Sequence, residues 1–221
     1  MPTSTVEDYL KYIYMIERET GGGGPVSTGR IAAALDVSPG TATAMVKTLA
    51  DAGLVSYEPY TGVKLTAAGA QLATHVLRRH RVVELFLVKV MGMDWSDVHD
   101  DAERLEHAVS DRVIERMDEM LGRPAVDPHG DPIPSPRGVV REPVYDDLLA
   151  CPLGSELQVA RITDQATPFL RMLERHGVVP GNRLAVEARE EAADTVVVRA
   201  AGHPALGLGF RAASKILVAP L

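Results

Sequence analysis

The chain has 221 residues, of which 46% are hydrophobic, so it can bury a substantial core and intrinsic disorder is not expected. Its one cysteine argues against an internal disulfide or a thiolate zinc cluster, and the N-terminus MPTSTVEDYL lacks the basic start and apolar run of a signal peptide, so we expect a cytoplasmic protein. The net charge of −7 arises in residues 81–150, which carry 8 basic and 16 acidic side chains, and such a block either solvates a surface or binds cations.

The first third of the chain predicts three helices followed by a β-hairpin. Helical spacing of apolar residues and turn signals at the ends define the elements. They are a helix over Val6–Glu19 ended by the glycine run at 21–24, a short helix from Ser27 to Leu35, a helix over Thr41–Ala52, and a hairpin within residues 54–66 (LVSYEPYTGVKLT). This order of elements is typical of a winged helix-turn-helix, a fold that reads DNA.

The rest of the chain predicts a helical middle and a β-rich end. One helix is expected from Ala67 to about Val90, another from about Ser96 to Leu121, then a proline-rich loop (RPAVDPHGDPIPSPRG) and a short helix around Val144–Leu149. From Leu153 four short β-like runs predict a small β-barrel: ELQVARI (156–162), RLAVEAR (183–189), DTVVVRA (194–200) and ALGLGF (205–210). A helix is expected within Asp164–His176. The fold class is therefore mainly α with β. No apolar run approaches the roughly 18 residues that would span a membrane.

The predicted recognition helix, Thr41–Ala52, carries small hydroxyls, alanine and one lysine on its first turn and one face. Hydroxyls suit phosphate bonds, and alanine or threonine methyls suit the thymine methyl, while cations of the neighbouring elements would hold phosphates. The candidate DNA-binding residues are Arg30, Ser38, Pro39, Gly40, Thr41, Thr43, Ala44, Lys47 and Lys64. The alternative is a winged helix used only for protein contacts, since residues 1–80 are neutral overall and their electrostatic affinity for DNA should be modest.

The stretch HDDAERLEH (residues 99–107) concentrates metal-ligand side chains. On a helix its ligand-type residues fall on an arc of roughly 100° beside an apolar stripe. The arc holds Glu106, His99, Glu103 and His107, and the stripe holds Val98, Ala102, Leu105, Val109 and Val113. The spacing of Glu103, Glu106 and His107 lets the three converge on one ion. The alternative is a charged helix face that is only solvated.

A second ion site is indicated by the preceding helix, where His80 and Glu84 share one face and could combine with His99. Carboxylate and imidazole ligands without a nearby thiolate suit Mn(II) and Fe(II). A metal-dependent hydrolase would use the same residue types, but no nucleophile motif, phosphate loop or HExxH sequence accompanies them. These residues therefore favour a metal-binding regulator over an enzyme.

Several motifs together resemble the diphtheria toxin repressor family of metal-dependent transcriptional regulators, and more closely its manganese-responsive branch. They are EDYLKYIYMI (7–16), SPGTATAMVKTLADAGLV (38–55), LTAAG (65–69), RRHRVVELFL (78–87), VHDDAERLEHAVSD (98–111) and DPHGDPIP (127–134). The resemblance implies a homodimeric repressor that binds a palindromic operator when loaded with a divalent metal and controls manganese or iron homeostasis genes. It implies three domains: a winged helix-turn-helix (1–72), a helical dimerisation and metal-binding domain (73–147) and an SH3-like, FeoA-like domain (148–221).

The resemblance also implies two sets of ligands. The primary set is Asp8, Glu103, Glu106 and His107, and the ancillary set is His80, Glu84 and His99. Iron-responsive members typically carry Met and Cys at the positions of Asp8 and Glu103, so these two oxygen ligands point to Mn²⁺ as the cofactor, with Fe²⁺ as the alternative. A regulator that responds to iron, or a winged-helix scaffold without a metal response, remains the competing interpretation.

Two departures from the family pattern bear on the ligand sets. Compact manganese regulators carry a second acid three residues after the Asp, and here that position is Lys11. A Glu and a Gln of the third domain complete the ancillary site in iron-responsive members, whereas the matching positions here are Ala166 and Phe169. Either the ancillary ion lacks those ligands, or the neighbours Asp164 and Gln165 replace them.

Overall fold

A computed structural model describes residues 3–19, 21 and 24–221 of the chain, which form two compact units. The first unit contains Met1–His80, Glu106–Val109 and Pro134–Val140. The second contains Arg81–Leu105, Ser110–Ile133 and Arg141–Leu221. The first two residues of the N-terminal segment and two glycines of the predicted run at 21–24 lie outside the described residues.

The first unit contains the winged helix-turn-helix that the sequence predicted. Its elements are α1 (Ser4–Glu19), α2 (Thr28–Ala34), α3 (Pro39–Asp51), the antiparallel hairpin of β1 (Val55–Glu58) and β2 (Gly62–Leu65), and the start of α4 (Ala67–Lys89). Helix α3 begins two residues earlier than predicted, because Ser38 Oγ accepts a hydrogen bond from the Thr41 N–H at 3.1 Å and Pro39 fits the first helical position.

The core of the first unit joins all three helices to the hairpin through fully buried side chains such as Leu10, Ile31, Val46 and Val63. Helix α4 approaches the hairpin closely at Gly69, where an added Cβ would lie 1.9 Å from the Leu54 carbonyl oxygen. Only glycine lets the two backbones meet at this distance. The wing and the start of α4 are therefore held as one packed unit.

The single helix predicted from Ser96 to Leu121 is wrong. The chain forms two shorter helices, α5 (His99–Glu106) and α6 (Asp111–Met120), because Ser110 has an extended backbone and the Val109 carbonyl accepts a hydrogen bond from the Arg79 guanidinium. The break also ends the predicted apolar stripe, since Val113 is 43% exposed. Among the described helices, none is long and apolar enough to cross a membrane.

The second unit ends in a six-stranded sheet in which every neighbouring pair is antiparallel. The strands run in the order β3-β8-β4-β5-β6-β7 and two β-bulges bend them, one in β4 and one in β5. Their bounds, with those of two helices, are β3 (Asp146–Asp147), β4 (Glu156–Ile162), α7 (Thr167–Arg175), β5 (Arg183–Glu190), β6 (Thr195–Ala200), β7 (Leu206–Gly209), α8 (Phe210–Ala213) and β8 (Ile216–Pro220).

Two features of this sheet differ from the prediction. The helix expected around Val144–Leu149 is absent, because β3 pairs with β8 and Asp147 Oδ1 accepts the N–H groups of the next turn at 2.9 and 3.0 Å. Strand β8 was not anticipated, although Ile216 and Val218 alternate toward the core as a half-buried strand requires.

We expect Gly69→Ala to lower the free energy of unfolding by about 1–3 kcal/mol, because the new methyl forces α4 away from the Leu54 carbonyl. Urea denaturation of the metal-free protein measures the loss. The matched control is Gly29→Ala in α2, where nothing lies within 4 Å of the added Cβ and the change should stabilise by about 0.4–1 kcal/mol. Equal effects at the two positions would contradict the packing argument.

Candidate metal centre and DNA-binding face

Three ligand-type side chains meet inside the first unit. Asp8 of α1, Glu106 at the end of α5 and the adjacent His107 offer ligand atoms that all lie within 4.8 Å of one another. His107 Nε2 is 2.8 Å from Asp8 Oδ1 and 3.3 Å from Glu106 Oε1. The set offers carboxylate oxygens and an imidazole nitrogen, which are the donors that Mn(II) and Fe(II) accept. We call this cluster the Glu106 centre.

Positively charged and donor groups surround Glu106, whose side chain is fully buried. Its Oε1 accepts a hydrogen bond from Lys11 Nζ at 2.6 Å, and its Oε2 lies 2.6 Å from His80 Nδ1. Burial raises the pKa of this carboxyl, but the hydrogen bonds and charges of His80 and Lys11 outweigh burial and leave the pKa below its ordinary value. The Glu106 side chain therefore favours its ionised form, which is the form that binds cations.

His107 lies between two acids of α1. Its Nδ1 is 2.7 Å from Glu7 Oε2, opposite the contact of its Nε2 with Asp8. Burial lowers the pKa of His107. The Glu7 hydrogen bond and the charges of Glu106 and Asp8 raise this pKa by more than burial lowers it, so it lies above the ordinary 6.5. The metal-free protein thus favours a protonated imidazole, and a metal ion at Nε2 would have to displace that proton.

The other predicted ligands divide between the two units. His80 belongs to the first unit and contacts Glu106. Glu103 belongs to the second, where its Oε1 is 3.6 Å from His99 Nε2. His99 Nδ1 is 3.3 Å from Glu84 Oε1, so these two ancillary residues do meet. The roles of Glu103 in the primary set and of His80 in the ancillary set stay predictions.

A second cluster lies in the second unit and involves two residues that sequence reasoning did not select as ligands. Glu84, Asp127 and His129 are all buried, with ligand atoms within 4.8 Å of one another. His129 Nε2 lies 2.9 Å from the Trp95 carbonyl oxygen, which can only accept, so Nε2 carries the hydrogen and Nδ1 presents a lone pair. Nδ1 is buried without a hydrogen-bond partner in the described part of the chain.

This arrangement fits a metal ligand, because metal-bound histidines usually donate their other ring N–H to a carbonyl or carboxylate. We call Glu84, Asp127 and His129 the Glu84 centre. The motif DPHG contributed to the family resemblance, yet its Asp-x-His spacing was also a signal for two ligands on one turn. Asp127 Oδ1 shapes that turn by accepting the N–H groups of His129 at 2.8 Å and Asp131 at 3.0 Å.

The Glu84 centre is short of positive charge. Burial raises the pKa of Asp127 well above its ordinary value, and the carboxylates of Asp131 and Glu84 raise it further. Arg81 acts in the opposite direction, with its Nε 3.6 Å from Asp127 Oδ2 and its Nη2 3.8 Å from Asp131 Oδ1. Arg161 adds a second guanidinium, with its Nε 2.5 Å from Asp131 Oδ1. Two guanidinium groups thus face the three buried acids Glu84, Asp127 and Asp131, and a divalent cation would supply the missing positive charge.

The third-domain positions considered for the ancillary ion have structural roles in the second unit. Gln165 Nε2 donates to Asp131 Oδ2 at 2.8 Å, and Asp164 Oδ1 accepts the Ala166 N–H at 3.1 Å. Phe169 packs against the core of the sheet. Gln165 therefore supports the acidic loop, and replacement ligands from this segment stay a prediction.

The predicted DNA-binding face is exposed on α3 and the hairpin. Thr41, Ala44 and Lys47 of α3 and Lys64 of β2 are all exposed, as a surface that enters a groove must be. One of the predicted hydroxyls already forms a hydrogen bond within α3, since Thr43 Oγ1 donates to the Pro39 carbonyl at 2.8 Å. Of the other predicted residues, Thr43 is half-buried and four are exposed, namely Arg30, Ser38, Pro39 and Gly40. Arg30 pairs with Glu19 at 3.0 Å.

A winged helix with an exposed recognition helix, together with buried clusters of oxygen and nitrogen ligands, defines the class of metal-responsive DNA-binding regulators. Comparison with protein families agrees. Residues 1–63 match "Iron dependent repressor, N-terminal DNA binding domain", residues 66–135 match "Iron dependent repressor, metal binding and dimerisation domain", and residues 147–220 match the "FeoA domain".

Two individual relatives resemble the chain over almost its whole length, and a third resembles about half of it. The iron-dependent repressor IdeR of Mycobacterium tuberculosis is 34% identical across 97% of this chain and 96% of its own. A solved structure described as a manganese-dependent transcriptional repressor complex with manganese is 41% identical, with a TM-score of 0.86 over 98% of this chain and 100% of that one. MntR of Shouchella clausii is 36% identical over 55% of this chain and 82% of its own. The chain belongs to the diphtheria toxin repressor family of iron- and manganese-dependent transcriptional repressors.

The raised pKa of His107 makes a pH dependence testable in the metal-free protein. A histidine whose pKa is higher in the folded state stabilises the fold fully below its ordinary pKa of 6.5, and this contribution is lost as pH rises through the raised value. Unfolding free energies in the presence of a chelator should therefore fall from pH 6.5 upward, and His107→Gln should flatten that slope. The exposed His75→Gln is the control and should keep it. An unchanged slope in His107→Gln would refute the assignment.

Proposed function

We propose that the protein is a manganese-responsive repressor whose DNA binding requires a divalent ion at the Glu106 centre. The observation that carries this proposal is the convergence of Asp8, Glu106 and His107, to which Glu103 is the predicted fourth ligand. The donors are oxygens and an imidazole nitrogen, which suit Mn²⁺ better than sulfur-preferring ions. Fe²⁺ accepts the same donors, so an iron response is the alternative within the family.

The ligands would link ion binding to the position of α1. Asp8 lies on α1, whose apolar face contributes to the core of the winged helix, whereas Glu106 is the last residue of α5 and His107 follows it. Carboxylates gathered at one point repel each other, and a divalent cation removes that repulsion. Ion binding would therefore favour one arrangement of these segments and shift the ensemble toward the DNA-binding form.

A second ion would bind at the Glu84 centre. The buried Nδ1 of His129 and the acid excess around Asp127 support this site. Glu84 also belongs to the predicted ancillary set with His80 and His99, so the two sets share one ligand and compete for it. The domain boundaries at 72 and 147 stay part of the proposal.

The DNA-binding form would be a homodimer on a palindromic operator in the cytoplasm, acting as a regulator of manganese or iron homeostasis genes and not as an enzyme. Two copies of α3 would enter successive major grooves, as helix-turn-helix dimers do. Lys47, Lys64 and Arg30 would hold phosphates, while Thr41 and Ala44 would contact base edges. Bound divalent ions would also reduce the net charge of −7 that opposes DNA.

The decisive experiment titrates metal-stripped protein anaerobically with Mn(II) or Fe(II) and measures binding to DNA fragments from its own promoter region. We expect tight binding with Mn(II) and much weaker binding with Fe(II). Equal binding with both metals would overturn the assignment to manganese, and DNA binding that is indifferent to metal would favour a winged-helix scaffold without a metal response. Lys47→Ala provides a control, because it should weaken DNA binding while leaving Mn(II) binding intact.

The double variant Asp8→Met with Glu103→Cys tests the selectivity in the same assay. Replacing two oxygen donors with sulfur donors should shift activation from Mn(II) toward Fe(II) or Co(II). An unchanged order of metals would remove these two residues from the selectivity of the site.

The number of bound ions tests the Glu84 centre. We expect His129→Gln to lose one Mn(II) ion per chain in calorimetry or elemental analysis, because the imidazole nitrogen Nδ1, 3.9 Å from Glu84 Oε2, is replaced by an amide that binds Mn(II) poorly. His99→Gln is the matched variant and should keep that ion. The reverse result would favour the predicted ancillary set of His80, Glu84 and His99.

A further inference from the structure

Lys11 is the largest side chain that is fully buried among the described residues, with 1% of its side-chain surface exposed. Its ammonium group lies 2.6 Å from Oε1 of Glu106, whose side chain is 0% exposed, and 5.6 Å from the centre of the Tyr12 ring. A buried ammonium is costly unless it is paired, so this contact is a strong constraint on both groups.

The position of Lys11 on α1 brings it to the metal ligands. It follows Asp8 by three residues, which places both on one face of the helix. Asp8 contacts His107 Nε2, while Lys11 contacts Glu106 Oε1, the same oxygen that lies 3.3 Å from His107 Nε2. The Lys11 ammonium therefore contacts Glu106 Oε1, the oxygen that would bind an ion held jointly by Glu106 and His107.

The formal charges of the Glu106 centre, with Lys11 included, also bear on the number of ions that it can hold. Glu7, Asp8 and Glu106 supply three negative charges, and Lys11 supplies one positive charge, which leaves a formal −2 when His107 is neutral. One divalent ion cancels that remainder, or leaves −1 if Glu103 adds its carboxylate as the predicted fourth ligand. A second ion would leave an excess of positive charge in either case, +2 without Glu103 and +1 with it, which a low-dielectric interior disfavours.

We propose that Lys11 is a tethered cation that holds Glu106 in the metal-free protein and competes with the divalent ion for it, thereby weakening ion affinity and limiting the Glu106 centre to one ion. The inference rests on the proposed function, because it takes the Glu106 centre as an ion site. The alternative is a purely structural ion pair that the ion does not disturb.

The test is Lys11→Met, which keeps an unbranched side chain of similar length and removes the charge. The experiment uses the full-length chain in a His129→Gln background, so that the Glu84 centre does not contribute. We expect a lower Tm without metal, because Glu106 loses its ammonium partner, and recovery of Tm with Mn(II). The Mn(II) dissociation constant should fall by roughly tenfold or more, since one nearby positive charge no longer opposes the ion.

The control is Lys89→Met at the exposed end of α4, which should change neither quantity. An unchanged or weaker Mn(II) affinity in Lys11→Met would overturn the proposal, and so would a variant that stays unfolded with saturating Mn(II), since the ion then cannot replace the ammonium. Failure of the proposed function gives a different result: the His129→Gln background would bind no Mn(II), and adding Glu106→Gln would change nothing.

Discussion

The fold of the first unit depends on one buried carboxylate. Glu106 is removed from water at the end of α5 and must be neutralised by groups that the chain supplies. Lys11 comes from α1 and His80 from α4, and each contacts a different oxygen of the carboxylate at 2.6 Å. Because α1 also forms the core of the winged helix, the electrostatics of Glu106 and the position of the DNA-reading helices are linked through one element.

Asp127 is a second buried acid, and the loop that carries it connects two parts of the second unit. The loop that carries Asp127 and His129 is bound to β4 of the sheet, because the His129 carbonyl accepts the Ile162 N–H at 2.8 Å. Gly130, with a φ of +88°, allows the loop backbone to approach Ala160 of β4, where an added Cβ would lie 2.1 Å from a carbonyl oxygen. Ligands of the Glu84 centre are thus held against the C-terminal sheet, so ion binding there would stabilise that contact.

Periodicity and turn signals predicted the elements whose determinants are local. Helices α1, α3 and α4, the hairpin and strands β4 to β6 lie within a few residues of their predicted bounds, since spacing and caps fix them. The break after Glu106 could not be seen, because the group that accommodates the Val109 carbonyl is Arg79, 30 residues earlier. The pairing of Lys11 with a residue 95 positions away is likewise invisible to any local pattern. Helical spacing selected all the predicted ligands except Asp8, which the family resemblance added. Asp127 and His129 were not selected, because they lie on a turn where helical spacing gives no signal.

The acidic middle of the chain is not simply a solvated surface, since Glu84, Glu106, Asp127 and Asp131 are all buried. The two centres differ in how these buried carboxylates are compensated. Around Glu106 the hydrogen bonds and charges of His80 and Lys11 outweigh burial, so this carboxyl has a lowered pKa. Around Asp127 two guanidinium groups, those of Arg81 and Arg161, face three buried acids, and burial keeps the pKa of Asp127 well above its ordinary value. On the proposed function, an ion therefore competes with the Lys11 ammonium and the His107 proton at the Glu106 centre, and with a proton of the buried acids at the Glu84 centre.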